Sequence, residues 1–173
     1  MTLLKSLLLI TLFSISAVTG WAQEHQHREH LSKLVSHYMN VKNALADDNF
    51  DNAKSSLIEF REEAMENSEM KNHEEHAQKH LQHHSAMIKT VNKGVQTDDI
   101  GELRSAFKDI SALLAKALKN QGYEGKTLYI QYCPMAANGG AHWISDQEKI
   151  VNPYLGQMMP GCGETRKEIN PNN

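Results

Sequence analysis

Between residues 27 and 121, apolar side chains recur three and four positions apart in four successive runs, a period that commits most of the chain to amphipathic helices. Leu31, Leu34, Val35, Tyr38, Val41 and Leu45 make the first stripe, over about 27–46. Asp47-Asp48-Asn49 stops it and caps the next helix. Phe50, Ala53, Leu57, Phe60 and Ala64 repeat the pattern to about residues 65–67. A third helix is expected from about Asn72 to Lys93, with Ala77, Leu81, Ile88 and Val91 inward and Gly94 as its stop. Thr97-Asp98-Asp99 caps a fourth, which buries Ile100, Leu103, Phe107, Ile110, Leu114 and Ala117 and closes near Gly122. Helices of similar length on short polar connections predict an all-α fold, an antiparallel four-helix up-and-down bundle over 27–121. No period-two run marks a strand. Residues 122–173 turn to Gly, Pro, Asn and aromatics, so they are expected to form an irregular Cys/Met-containing strap on the bundle, within one domain over 23–173.

Lys5, the apolar run from Ser6 to Val18 and the small-residue site Gly20-Trp21-Ala22 read as a secretory signal over 1–22. The mature chain is then expected to begin near Gln23 as a periplasmic or secreted protein with no transmembrane segment. The full sequence carries a formal charge of −3, and losing Lys5 makes it more acidic. Nucleic acid is a poor partner for such a chain, because its phosphates demand a basic face.

Cys133 and Cys162 are the only two cysteines, and each travels with methionine, in Tyr132-Cys133-Pro134-Met135 and Met158-Met159-Pro160-Gly161-Cys162-Gly163. Thiolate and thioether are soft ligands that select Cu(I) or Ag(I) over hard cations. Export equally permits a Cys133–Cys162 disulfide, closing a loop of about 30 residues and stabilising by about 3 to 4 kcal/mol on the chain-entropy model. Both readings stay open on the residues alone. Met158 and His142 are secondary ligand candidates.

Histidine is the second signal, with five of ten in His73, His76, His80, His83 and His84. His76, His80 and His83 fall on one helix edge, where neutral imidazoles could share Cu(II) or Zn(II); the plain alternative is a solvated edge. Cleavage after Ala22 would put His25 third from a free amine, a square-planar nitrogen set for Cu(II). There is no Cys-x-x-Cys-His, Gly-rich phosphate loop or Gly-x-Ser-x-Gly elbow, so haem attachment, phosphate-loop and serine-hydrolase chemistry are not expected, and a binding protein is expected ahead of an enzyme.

Taken together, Leu128-Tyr129, Tyr132-Cys133-Pro134-Met135-Ala136, Gly140-Ala141-His142-Trp143-Ile144-Ser145, Ile150, Asn152-Pro153-Tyr154-Leu155-Gly156, Met159 and Cys162-Gly163 resemble an uncharacterised exported bacterial domain. That domain is common in Bacteroidetes, alone or fused to periplasmic adaptor subunits of copper and silver efflux pumps. The motif covers the last third of the chain, whereas the helices match in pattern, including the turn at Ala46-Asp47-Asp48. The resemblance implies periplasmic copper or silver handling, with motif positions on Cys133, Met135, Met159 and Cys162. Pro160-Gly161 departs from the bulky-polar pair more usual there.

The expected function is therefore periplasmic Cu(I) or Ag(I) binding in metal homeostasis, efflux or delivery. A rival reading is an interaction module that docks an efflux adaptor or another envelope protein, with a structural disulfide. A copper- or thiol-dependent redox enzyme is the third.

Overall fold

The computed structural model describes residues 28–66 and 74–171, with the side chains of 74–81 left aside. The proposed signal over 1–22 lies outside the described residues. Helix α1 occupies 28–46, α2 Phe50–Glu66, α3 Glu74–Gln96 and α4 Ile100–Gln121. Their cross-contacts fix the directions. His30 pairs with Glu63 at 2.9 Å and His37 with Glu59 at 3.6 Å, so α1 and α2 run antiparallel. His84 reaches the Ala64 carbonyl (2.6 Å) and His83 the Leu113 carbonyl (3.0 Å), tying α3 antiparallel to both α2 and α4. Tyr38 stacks on Phe107 with ring centroids 4.8 Å apart, closing α1 against α4.

The helix ends have local causes. Asn49 accepts from the Asn52 N–H (3.1 Å), and Asp99 accepts from the Glu102 N–H (2.8 Å) while Glu102 accepts from the Thr97 hydroxyl (2.7 Å). Gly122, at φ 71°, ends α4. Gly94 does not end α3. It is buried inside the helix, where a Cβ would sit 2.7 Å from Leu57 Cδ2 and 3.2 Å from Ala106 Cβ, so its bareness lets α2, α3 and α4 approach closely.

The all-α expectation fails beyond Gly122. The segment expected to be an irregular strap contains a three-stranded antiparallel sheet, β1 Leu128–Cys133, β2 Ala141–Ser145 and β3 Glu164–Ile169, in the order β2-β1-β3. Alternation is absent from the sequence for physical reasons. Central β1, Leu-Tyr-Ile-Gln-Tyr-Cys, is partly covered on both faces, and β2 buries Trp143, Ile144 and Ser145 consecutively beside α4. β3, Glu-Thr-Arg-Lys-Glu-Ile, is an edge strand whose charges oppose further pairing. Its register against β1 slips by one residue at Arg166, and that bulge carries the guanidinium to 5.1 Å from the Tyr132 ring.

Sheet and helices share one core. Trp143, Ile144, Cys133 and Tyr154 belong to the same buried cluster as Tyr38, Leu57, Phe60, Phe107 and Leu114. At its centre the Tyr38 hydroxyl accepts from the Ile144 N–H (3.0 Å) and donates to Ser111 (2.8 Å), whose own proton goes to the Phe107 carbonyl. Tyr154 donates to the His142 carbonyl (2.6 Å). Burial raises the pKa of both phenols, so both remain protonated donors.

A polar clamp at the other end holds the 150–160 segment to the helices. Arg104 donates to the carbonyls of Pro153 (2.8 Å) and Leu45 (2.7 Å) and pairs with Asp48, whose second oxygen accepts the Gln157 N–H (2.9 Å). The Arg104 hydrogen bond, then the Gln157 N–H, hold the Asp48 carboxyl below the usual carboxylate value. A carboxylate whose folded pKa is depressed contributes stability above its unfolded pKa of about 3.9, and loses it as pH falls through the folded value. Asp48→Asn is therefore expected to flatten the acid side of the stability profile below about pH 4. Urea midpoints of the two proteins measured between neutral and acid pH check this, and parallel profiles would remove the clamp from the account.

Candidate functional site

The two Cys/Met segments fold as proline turns that meet. Cys133 ends β1, and its carbonyl accepts from the Ala136 N–H (3.3 Å) across Pro134-Met135; the Met159 carbonyl accepts from the Cys162 N–H (3.1 Å) across Pro160-Gly161. Proline fixes the first corner of each. Their cysteines are bonded to each other, Cys133 to Cys162, with Cα atoms 5.9 Å apart across 29 residues. Cys133 is wholly buried and Cys162 partly so. The methionines behave oppositely: Met135 is 62% exposed, Met158 78% and Met159 37%. Both thiols are thus consumed by the crosslink while the thioethers stand in solvent.

Asn152 and Gly163 position the second turn. Asn152 is fully buried; its side-chain oxygen accepts from the Tyr154 and Leu155 N–H groups (2.8 and 3.0 Å), and its amide donates to the Cys162 carbonyl (2.7 Å). The Asn152 N–H also donates to the Pro160 carbonyl (2.9 Å), closing the loop on itself. Gly163, at φ 138°, lets the chain leave Cys162 pressed against Trp143 and the Tyr132 carbonyl. Gly161 has no positive φ, and a Cβ there would meet nothing within 4 Å, so the Pro-Gly departure from a bulkier pair costs the turn no packing.

His142 lies on β2 opposite Tyr132, their rings 4.5 Å apart, near Arg166. Burial, then Arg166, then Lys108 lower its pKa, which keeps the imidazole neutral further into acid. The histidine edge is only partly described: His83 is engaged with the Leu113 carbonyl, whereas the side chains of His76 and His80, and all of His25, lie outside the described residues. Among the described residues, no three histidine, cysteine, aspartate or glutamate side chains converge as a metal-binding group.

Sequence reasoning missed several residues that organise this region. Lys42 is 1% exposed with Nζ 3.7 Å from Asp146; burial pushes its pKa down and the carboxylate pulls it back. Its signal was available, because Lys42 stands four residues from Tyr38 on the buried face of α1. Gln131 is fully buried and donates to the Gln147 and Glu148 carbonyls (2.9 and 3.0 Å), gathering the loop after β2. Only its position in a β1 that looked like coil concealed it.

Neither the curated proteins nor the solved structures contain a match to this chain. A family match does exist, and it falls on the helices rather than on the Cys/Met motif, ending two residues before Leu128. Spanning residues 34–126, more than half of the chain, it shows that the protein belongs to the family described as Protein of unknown function (DUF3347).

Proposed function

We propose that this is an exported binding protein for a soft monovalent metal, Cu(I) or Ag(I), carried as cargo on reduced Cys133 and Cys162 with Met135 and Met159 as thioether partners. One observation carries the reading. Among the described residues the exposed large apolar side chains are Met65, Met135, Met158 and Met159, and three of these sit in or beside the two cysteine turns. Methionine also serves adaptable docking surfaces, but its concentration beside the two cysteines sets thioether next to thiol, the donor pair that soft-metal chemistry selects. Loading requires a dithiol donor to return two electrons and two protons to the disulfide, after which the metal displaces the thiol protons. The C-terminal resemblance to an exported domain of Bacteroidetes, also found fused to copper and silver efflux adaptors, supports an envelope location and an adaptor or other envelope protein as partner. Divalent ions such as Cu(II) or Zn(II) would fall instead to the edge of His76, His80 and His83, or to His25.

A second reading has its own support. The bonded, buried Cys133 suits a permanent crosslink in an interaction module that docks an envelope component. Anaerobic Cu(I) titration of the reduced mature protein against a chromophoric competitor separates the two. Uptake of about one equivalent is expected, abolished by Cys133→Ala or Cys162→Ala and weakened about tenfold, ~1.4 kcal/mol, by Met135→Leu or Met159→Leu. A reduced, folded protein that takes up no Cu(I) would leave the interaction module standing.

A further inference from the structure

A groove of about 440 Å³ opens between α4 and the sheet, lined by His142 but by neither cysteine nor any of the turn methionines, and within the volume range of small-molecule sites. Its lining draws on all three strands: Ile130 from β1, Ile144 from β2 and Ile169 from β3 face Ala115 and Leu118 of α4. Three exposed lysines surround this apolar floor, Lys116 and Lys119 one turn apart on α4 and Lys167 across from them on β3. None of the three takes part in an ion pair among the described residues. Glu168 is the single carboxylate in the lining.

That concentration of free positive charge stands on a chain whose formal charge is −3. A local field of the opposite sign to the net charge, set around a concave apolar floor, matches a ligand that is anionic at one end and apolar along the rest. Lysine supplies compact point charges rather than the bidentate fork of arginine, which suits one small anionic head. Trp143 completes the lining. It is wholly buried, and its indole N–H has no acceptor among the described residues, an unusual state for a buried donor.

We propose that this groove binds a single-chain amphiphilic carboxylate, its tail along the partly exposed Ile130, Ile169 and Ala115 and its head among Lys116, Lys119 and Lys167. Monomeric dodecanoate, titrated into the full mature protein by calorimetry below its micellar concentration, is the direct probe. One saturable site is expected, with at least tenfold weaker binding of dodecyltrimethylammonium, which keeps the tail and reverses the head. The triple variant Lys116→Gln, Lys119→Gln, Lys167→Gln should bind dodecanoate at least tenfold more weakly with an unchanged melting temperature. Ala112→Phe, a substitution at an exposed position of the lining, should block binding of the tail; if it disturbs folding, the lysine variant still decides. Equal affinity for both head groups, undiminished binding by the triple variant, or association only with anionic vesicles and not with monomeric dodecanoate would each overturn the proposal.

Discussion

Reducing the Cys133–Cys162 disulfide is expected to destabilise the protein by about 3 to 4 kcal/mol, lowering the melting temperature by roughly 10 °C. The figure follows from a crosslink spanning 29 residues, which withdraws loop-closure entropy from the unfolded chain. The bond also fastens the start of β3 to the end of β1, so the sheet should loosen before the helices. Paired melts followed in the far ultraviolet and by Trp143 emission separate these events, because Trp143 packs beside Gly163, next to Cys162. Reduction should brighten that tryptophan by removing a neighbouring disulfide quencher. The cleaner genetic test is Cys133→Ala with Cys162→Ala, since serine at position 133 would bury a hydroxyl without a partner. Identical melts for the oxidised and reduced proteins would mean that the turns hold without the bond.

Gly163→Ala should cost about 2 to 4 kcal/mol, combining backbone strain at positive φ with overpacking. At φ 138° its Cβ would lie 2.8 Å from Trp143 Cη2 and 2.9 Å from the Tyr132 carbonyl oxygen. Neither neighbour can retreat: the indole is wholly buried, and the carbonyl is backbone of the central strand. Gly161→Ala, two residues earlier, is the internal control. With open space and no positive φ, alanine there should be neutral or stabilise by up to about 1 kcal/mol through the unfolded state. Chemical denaturation of both variants gives the contrast, and comparable losses would refute the close-approach account of Gly163.

The helical stripes were readable because each is a repeated one-sided pattern: those running Leu31 to Leu45, Ala53 to Ala64 and Leu103 to Ala117 reappear in the buried cluster, and Phe50 and Ile100 pack against its edge. Gly94 misled because glycine looks the same whether it ends a helix or admits a neighbouring one. The strands were illegible for a different reason: Tyr129 to Tyr132 present bulk on both faces, and charged β3 resembles coil unless its pairing with β1 is known. At the candidate site, sequence could nominate Cys133 and Cys162 but could not choose between thiolate and disulfide, since their spacing and the compartment expected of the chain permit both. Asn152, Arg104 and Lys42 act through partners distant in sequence, at Cys162, Pro153 and Asp146, and periodicity carries no information about such pairs.

The central hydrogen bond of Tyr38 bears on where this domain can be cut. The family match stops at residue 126, yet the group that donates to Tyr38 is the Ile144 N–H, and one acceptor and one donor of the Arg104 clamp, the Pro153 carbonyl and the Gln157 N–H, come later still. A fragment trimmed to the matched span would lose residues 28–33 of α1, keep α2, α3 and α4 whole, and strip the cover from Tyr38, Phe107 and Ser111, converting an interior wall into an adhesive outer surface. Expression boundaries for this chain should therefore take in the start of α1 and extend through Ile169, because the span by which the family is recognised is shorter than the span that shares one core.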